Sequence, residues 1–266
     1  IALAWSAVLT KAGSPRPLRR LMPISIAKLF ADQAVPGAGL GGHVLLVERL
    51  TDIGVPRGTA VATLMISLVG YYVAYAALAL AMLLVLWLHR EATPLLAGLV
   101  TTLLIIAVSI PALALWLRRR GSEPLPASVE RIGFIRKILA IVGEAPAALV
   151  RDRTLLAKAA LCNAGIFLLD AMTLGVCLLA LGWPFEPSTA FLAFMAGSIS
   201  ATLAPLPLGL GSFEAAATAM LVSLGVPFAA SLTATLLLRG LTLWLPLLPS
   251  LMMMRKGLKT DQKVPG

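Results

Sequence analysis

Charge is scarce in this chain. Asp, Glu, Lys and Arg together make up 13% of its 266 residues, against about 25% in ordinary soluble domains. Aromatic side chains supply 6%, and hydrophobic residues supply 59%. That balance excludes a soluble globular domain, because too few polar side chains remain to build a wet surface. Cysteine is nearly absent: Cys162 and Cys177 lie in one apolar segment without metal-type spacing. Both read as small apolar side chains, which excludes a disulfide framework. The chain also lacks a phosphate-binding Gly-Lys-Ser/Thr loop, a nucleophile elbow and any His/Cys/Asp cluster at ligand spacing. No ATPase, catalytic residue, metal or cofactor is read from it.

What the chain has instead is long apolar runs. About 20 consecutive apolar residues cross a hydrocarbon core of about 30 Å. Ala60–Leu88, Pro94–Leu117, Thr154–Leu181 and Phe228–Met254 read as full spans. Pro23–Ile53 and Thr189–Leu224 are broken by Pro and Gly. Ile1–Thr10 reads as the tail of a span, so an initiating Met and the first part of a helix are expected ahead of Ile1. No cleavable signal peptide is visible.

The net charge of +10 is not laid out for nucleic acid. Lys11, Arg16, Arg19 and Arg20 share one loop, and Arg118, Arg119, Arg120, Arg131, Arg136, Lys137, Arg151 and Arg153 share the long middle one. Arg255, Lys256, Lys259 and Lys263 close the chain. Basic loops stay cytoplasmic, so all three stretches, the C-terminus included, are expected on that side. This holds only if the broken regions enter and leave on the same face, as re-entrant hairpins. In the middle loop, Val129–Val142 reads either as an amphipathic helix on the leaflet surface or as a solvated linker helix.

The two broken regions resemble each other. One runs from Pro36-Gly-Ala-Gly39-Leu40-Gly41-Gly42-His43 to Gly54-Val55-Pro56. The other runs from Pro207-Leu-Gly209-Leu210-Gly211-Ser-Phe-Glu214 to Gly225-Val226-Pro227. Three full crossings lie between them, and an odd number reverses the second unit. The expected fold is therefore an all-α polytopic membrane protein, an inverted-topology repeat with two re-entrant Gly/Pro-rich helical hairpins. It forms one transmembrane domain over residues 1–266: a first repeat of about 1–117, a basic cytoplasmic linker of about 118–153, a second repeat of about 154–255 and a short basic tail.

Broken backbone at membrane depth is tolerated only inside protein or along a wet cavity. The helix after each Gly-rich loop aims its N–H groups back at the loop, which suits a phosphate or carboxylate. The competing reading is that the glycines serve close helix packing. Ionisable groups in a span are costly and mark candidate sites. Arg239 and Asp170 lie near the middle of their spans at matching depth, placed either to pair or to face one cavity. Glu214 either caps its helix or takes part in transport. Lys28 and Asp32 are expected to pair at i, i+4. His43, Glu48 and Arg49 follow the first Gly-rich loop; His43 either titrates during transport or is a hydrogen-bonded bystander.

The stretch Pro205-Leu-Pro207-Leu-Gly209-Leu-Gly211-Ser-Phe-Glu214, followed by Gly225 and Arg239, resembles the transmembrane, flippase-like domain family of bacterial lysylphosphatidylglycerol synthases. Pro36-Gly…Gly41-Gly42 fits that family's other signature more loosely. Where the family often carries a Glu-Arg pair after the first motif, this chain reads Met65-Ile-Ser67-Leu-Val-Gly70-Tyr71-Tyr72, and no role of that pair carries over. The resemblance implies movement of aminoacylated, otherwise modified or isoprenoid-type lipids between the leaflets of a bacterial inner membrane. No aminoacyl-transferring domain follows Lys263, so synthesis of the lipid by this polypeptide alone is not expected.

The substrate-binding set expected for an anionic or aminoacylated phospholipid is Arg239, Asp170, Glu214, Gly209, Gly211, Pro207, Gly39, Gly41, Gly42, His43, Glu48 and Arg49. Partners other than lipid are a second copy of the chain or a lipid-synthesis enzyme. Two other classes stay open: a membrane accessory subunit that docks such an enzyme through Val129–Val142, and an intramembrane transferase using Glu214 and His43.

Overall fold

The computed structural model describes residues 1–34, 40–88, 98, 101–102, 104–105, 109, 112, 145–204 and 209–245. Every regular element among them is helical: α1 (Ala2–Lys11), α2 (Leu18–Ala34), α3 (Leu40–Asp52), α4 (Arg57–Leu88), the short α5 (Ala147–Val150), α6 (Arg153–Ala180), α7 (Pro187–Leu203), α8 (Ser212–Ser223) and α9 (Phe228–Arg239), which continues as a π-helical turn over Gly240–Trp244. The 32 residues of α4 and the 28 of α6 run about 48 Å and about 42 Å at 1.5 Å per residue, enough to cross a membrane. They coincide with the expected spans Ala60–Leu88 and Thr154–Leu181. The expected span Pro94–Leu117 and the amphipathic Val129–Val142 lie outside the described residues, apart from isolated positions of the former.

Two details differ from expectation. Within Pro23–Ile53, the helix runs straight through Pro23, inside the second turn of α2. There the ring removes a single backbone donor without ending the helix. The last apolar run is not one uniform α-helix either, because α9 gives way to π geometry immediately after Arg239.

The chain divides into two compact units, residues 1–25 with 43–167 and residues 26–42 with 168–266. In the first, Ala4 and Val8 of α1 pack with Val61, Ala62, Met65 and Ile66 of α4 and with Leu155 and Ala159 of α6. A second cluster gathers Trp5, Leu9, Leu21, Leu46, Leu50 and Val55. The buried Trp5 indole donates to the Ser67 hydroxyl at 2.9 Å, so its one polar atom is satisfied. Gly70 lets α4 touch α6: a Cβ there would stand 2.6 Å from the Cβ of Ala159. In the second unit, α7 packs on α8 and α8 on α9.

One corner recurs through the chain. Gly-X-Pro occurs at Gly13, Gly54, Gly182 and Gly225. Each of these glycines has positive φ (72°, 81°, 84° and 92°), and each ends a helix in the same way. The residue after the glycine donates back to the carbonyl five residues earlier, as Val55 to Leu50 and Val226 to Leu221, while the glycine donates three back. This pair of hydrogen bonds satisfies the last carbonyls of the helix and needs a residue without a side chain at the left-handed position. The proline that follows cannot extend the old helix, and at Pro56 and Pro227 it directly precedes the next one. The order helix, Gly-X-Pro, 17-residue helix, break, short helix, Gly-Val-Pro, helix thus appears twice, with α2 and α7 both 17 residues long.

Candidate functional site

The second Gly-rich segment ends in a turn pressed against α7. Gly209 has φ 60° and is buried, and a Cβ there would lie 2.5 Å from the Cβ of Ala201. Ser212 closes the turn by donating to the Gly209 carbonyl at 3.0 Å. Gly211, φ 83°, then opens α8, and its N–H donates to Oε2 of Glu214 at 2.7 Å. Glu214 therefore caps α8 from its third position, where the helix dipole also favours a carboxylate.

The other oxygen of that carboxylate, Oε1, accepts from Nε of Arg239 at 2.8 Å. The two side chains are 13% and 14% exposed, so the pair is held largely away from solvent. The guanidinium carbon also sits 4.9 Å from the ring centroid of Phe213, a cation–π distance. Phe213 is fixed in turn by the edge of Phe194 at 5.9 Å and by the bare backbone of Gly197. One turn beyond Glu214, the buried Thr218 hydroxyl has no hydrogen-bond partner among the described residues.

Arg239 completes a polar stripe on α9. Ser231, Thr235 and Arg239 recur every fourth residue, and the first two are fully buried. Their hydroxyls are satisfied by the Val226 and Ser231 carbonyls. Glu214 and Thr218 form the corresponding i, i+4 pair on α8. The hydroxyl residues were not singled out from sequence, although four-residue spacing of polar side chains in an apolar helix is a legible signal. The π-helical turn begins at the residue after Arg239, and such turns are frequent at functional positions.

The remaining expected residues fall in different surroundings. Asp170 is half-buried on α6, and among the described residues it forms no ion pair or hydrogen bond. Arg239 has Glu214, not Asp170, as its described ion-pair partner. Matching depth along two helices does not fix which faces meet, and the α8–α9 hairpin brings Glu214 to Arg239 first. Lys28 and Asp32 pair at 2.5 Å, as their spacing predicts. The other Asp32 oxygen is buried without a partner among the described residues, beside Gly42, where any Cβ would collide with it. His43 is half-buried in the first turn of α3, the same number of residues ahead of its corner glycine as Glu214 is of its own. Glu48 and Arg49 are exposed, and Arg49 pairs with Asp52 at 3.6 Å. Gly41 lies in α3, while Gly39 and Pro207 lie outside the described residues. Gly42, Asp170, Gly209, Gly211, Glu214 and Arg239 belong to the second unit, and His43, Glu48 and Arg49 to the first.

Helices of spanning length, with a largely buried ion pair and a polar seam among apolar helices, define a helical membrane protein. The chain belongs to the family described as the lysylphosphatidylglycerol synthase TM region, whose sequence model matches residues 1–250. No curated protein and no solved structure matches it.

Proposed function

We propose that the chain binds a membrane lipid at the polar seam of its second half and moves that lipid between leaflets. The observation that carries this reading is the Arg239–Glu214 pair, an ion pair kept in an apolar setting beside a Gly-rich helix start. A charge pair so placed costs desolvation, and ionisable groups at membrane depth mark candidate functional sites. The guanidinium carries further N–H donors besides Nε, in the fork that suits a phosphate. A lipid phosphate would compete with Glu214 for Arg239, while Asp170 would face a cationic aminoacyl headgroup.

The short helices support the same reading. The 12 residues of α8 and 13 of α3 reach about 18 Å and about 20 Å, short of a core of about 30 Å. Each fits one arm of a re-entrant hairpin, and the two hairpins enter from opposite faces in an inverted repeat. The lipid class is an anionic or aminoacylated phospholipid, or an isoprenoid-linked relative, in a bacterial inner membrane.

The test is lipid translocation by the purified chain in proteoliposomes, read by accessibility of a headgroup-labelled phosphatidylglycerol. Arg239→Ala is expected to abolish translocation at unchanged expression; unchanged transport sinks the assignment. A wild-type chain that moves no lipid but retains a lipid-modifying enzyme on purification would replace this reading with the accessory-subunit one.

A further inference from the structure

The first unit holds a groove of about 450 Å³ that the proposed transport site does not use. It is lined by Leu3, Ser6, Ala7, Thr10 and Lys11 of α1 and by Thr154, Leu155 and Lys158 at the start of α6. Its composition is graded. Lys11 and Thr10 close α1 at one end, and Ala7 and Leu3 continue the same face of the helix one and two turns back. Leu3 is 65% exposed, an uncovered apolar floor leading away from the lysines.

The charges are unequal. Lys11 pairs with Asp152, whose other oxygen is occupied by the first turn of α6, where it takes the Thr154 N–H at 2.9 Å and the Thr154 hydroxyl at 2.6 Å. Lys158 is exposed and has no ion pair among the described residues. Arg151 and Arg153, the chain neighbours of Asp152, are both exposed. One acidic group, Asp152, therefore stands against the two lysines of the groove. Lys158 lies five residues into a spanning helix, about 7.5 Å from its start, within snorkelling reach of the interface.

We infer that this groove seats an anionic phospholipid, with its phosphate between Lys158 and Lys11 and one acyl chain along Ala7 and Leu3. The occupant is a lipid and not free phosphate because cationic head and apolar floor are continuous, and only an amphiphile satisfies both.

The experiment places the purified full chain in phosphatidylcholine nanodiscs, with and without phosphatidylglycerol, and measures acetylation of Lys158 by mass spectrometry. Phosphatidylglycerol is expected to slow the labelling of Lys158, and Lys11→Gln to weaken that protection about fivefold, the share one lysine contributes near an anionic surface. Asp152→Asn keeps an acceptor for the helix start but frees Lys11, and is expected to strengthen protection. Arg239→Ala is expected to leave it unchanged, which separates this site from the transport site. Equal labelling in both lipids, or protection by inorganic phosphate in phosphatidylcholine alone, would overturn the inference.

Discussion

One carboxylate joins two helices at the candidate site: Glu214 accepts the Arg239 Nε at 2.8 Å with one oxygen and the Gly211 N–H at 2.7 Å with the other. Removing either partner therefore has different consequences. Arg239→Met leaves a carboxylate without its countercharge and should cost about 3 kcal/mol. Glu214→Gln should cost less, because the amide oxygen still accepts the Gly211 N–H while the charge pairing is lost. The double variant should recover about 2 kcal/mol of the summed losses, as expected for groups in direct contact. Denaturant titration of the four proteins in detergent checks this. Additive losses would show that the pair contributes no coupling.

The corner glycines offer a cleaner comparison. A Cβ at Gly225 would meet nothing within 4 Å, so Gly225→Ala reports only the left-handed backbone, φ 92°. The expected cost is about 1 kcal/mol. Gly54→Ala should cost more, because its Cβ would stand 3.1 Å from Nη2 of Arg16. That guanidinium clamps the corner by donating to the Ile53 and Gly54 carbonyls at 3.0 and 2.7 Å. Equal losses in thermal unfolding would mean that the Arg16 clamp adds nothing.

The spanning helices were legible because run length alone decides them: Ala60–Leu88 and Thr154–Leu181 agree with α4 and α6 to within a few residues. The Gly-Val-Pro corners were legible as a repeat. The related corners at Gly13 and Gly182 are harder to read, because Ser14 and Trp183 disguise the shared Gly-X-Pro. Lys28–Asp32 followed from spacing on one helix. The partner of Arg239 did not, since sequence gives depth along a helix but not the direction a face points. The polar seam at Ser231 and Thr235 is hard to read from sequence, because hydroxyl residues hide their cost in backbone hydrogen bonds.

Glycines inside spanning helices should respond in opposite directions. Gly70→Ala forces a Cβ to 2.6 Å from Ala159 and 2.9 Å from its backbone, so α4 and α6 must separate. Overpacking of this kind costs about 1–3 kcal/mol, more than the gain in helix propensity returns. Gly165→Ala meets nothing within 4 Å and should stabilise by up to about 1 kcal/mol. Melting temperatures of the two variants in detergent decide it. A stable Gly70→Ala protein would mean that the helices do not touch there.

Acid should act through Asp152. Its carboxylate pairs with Lys11 and caps the first turn of α6 through the Thr154 hydroxyl and N–H and the Leu155 N–H. Lys11 first, and Thr154 next, hold this carboxyl well below the usual carboxylate range. A group depressed in the folded state stabilises at any pH above its unfolded value of about 3.9, and that contribution fades as pH falls toward the folded value. The stability difference between wild type and Asp152→Asn should therefore be flat from about pH 8 to about pH 5 and shrink below about pH 4. Because Lys11 is half exposed, raising the salt should also reduce its share of the difference. A difference that grows on acidification would show that Asp152 is not held ionised by these partners.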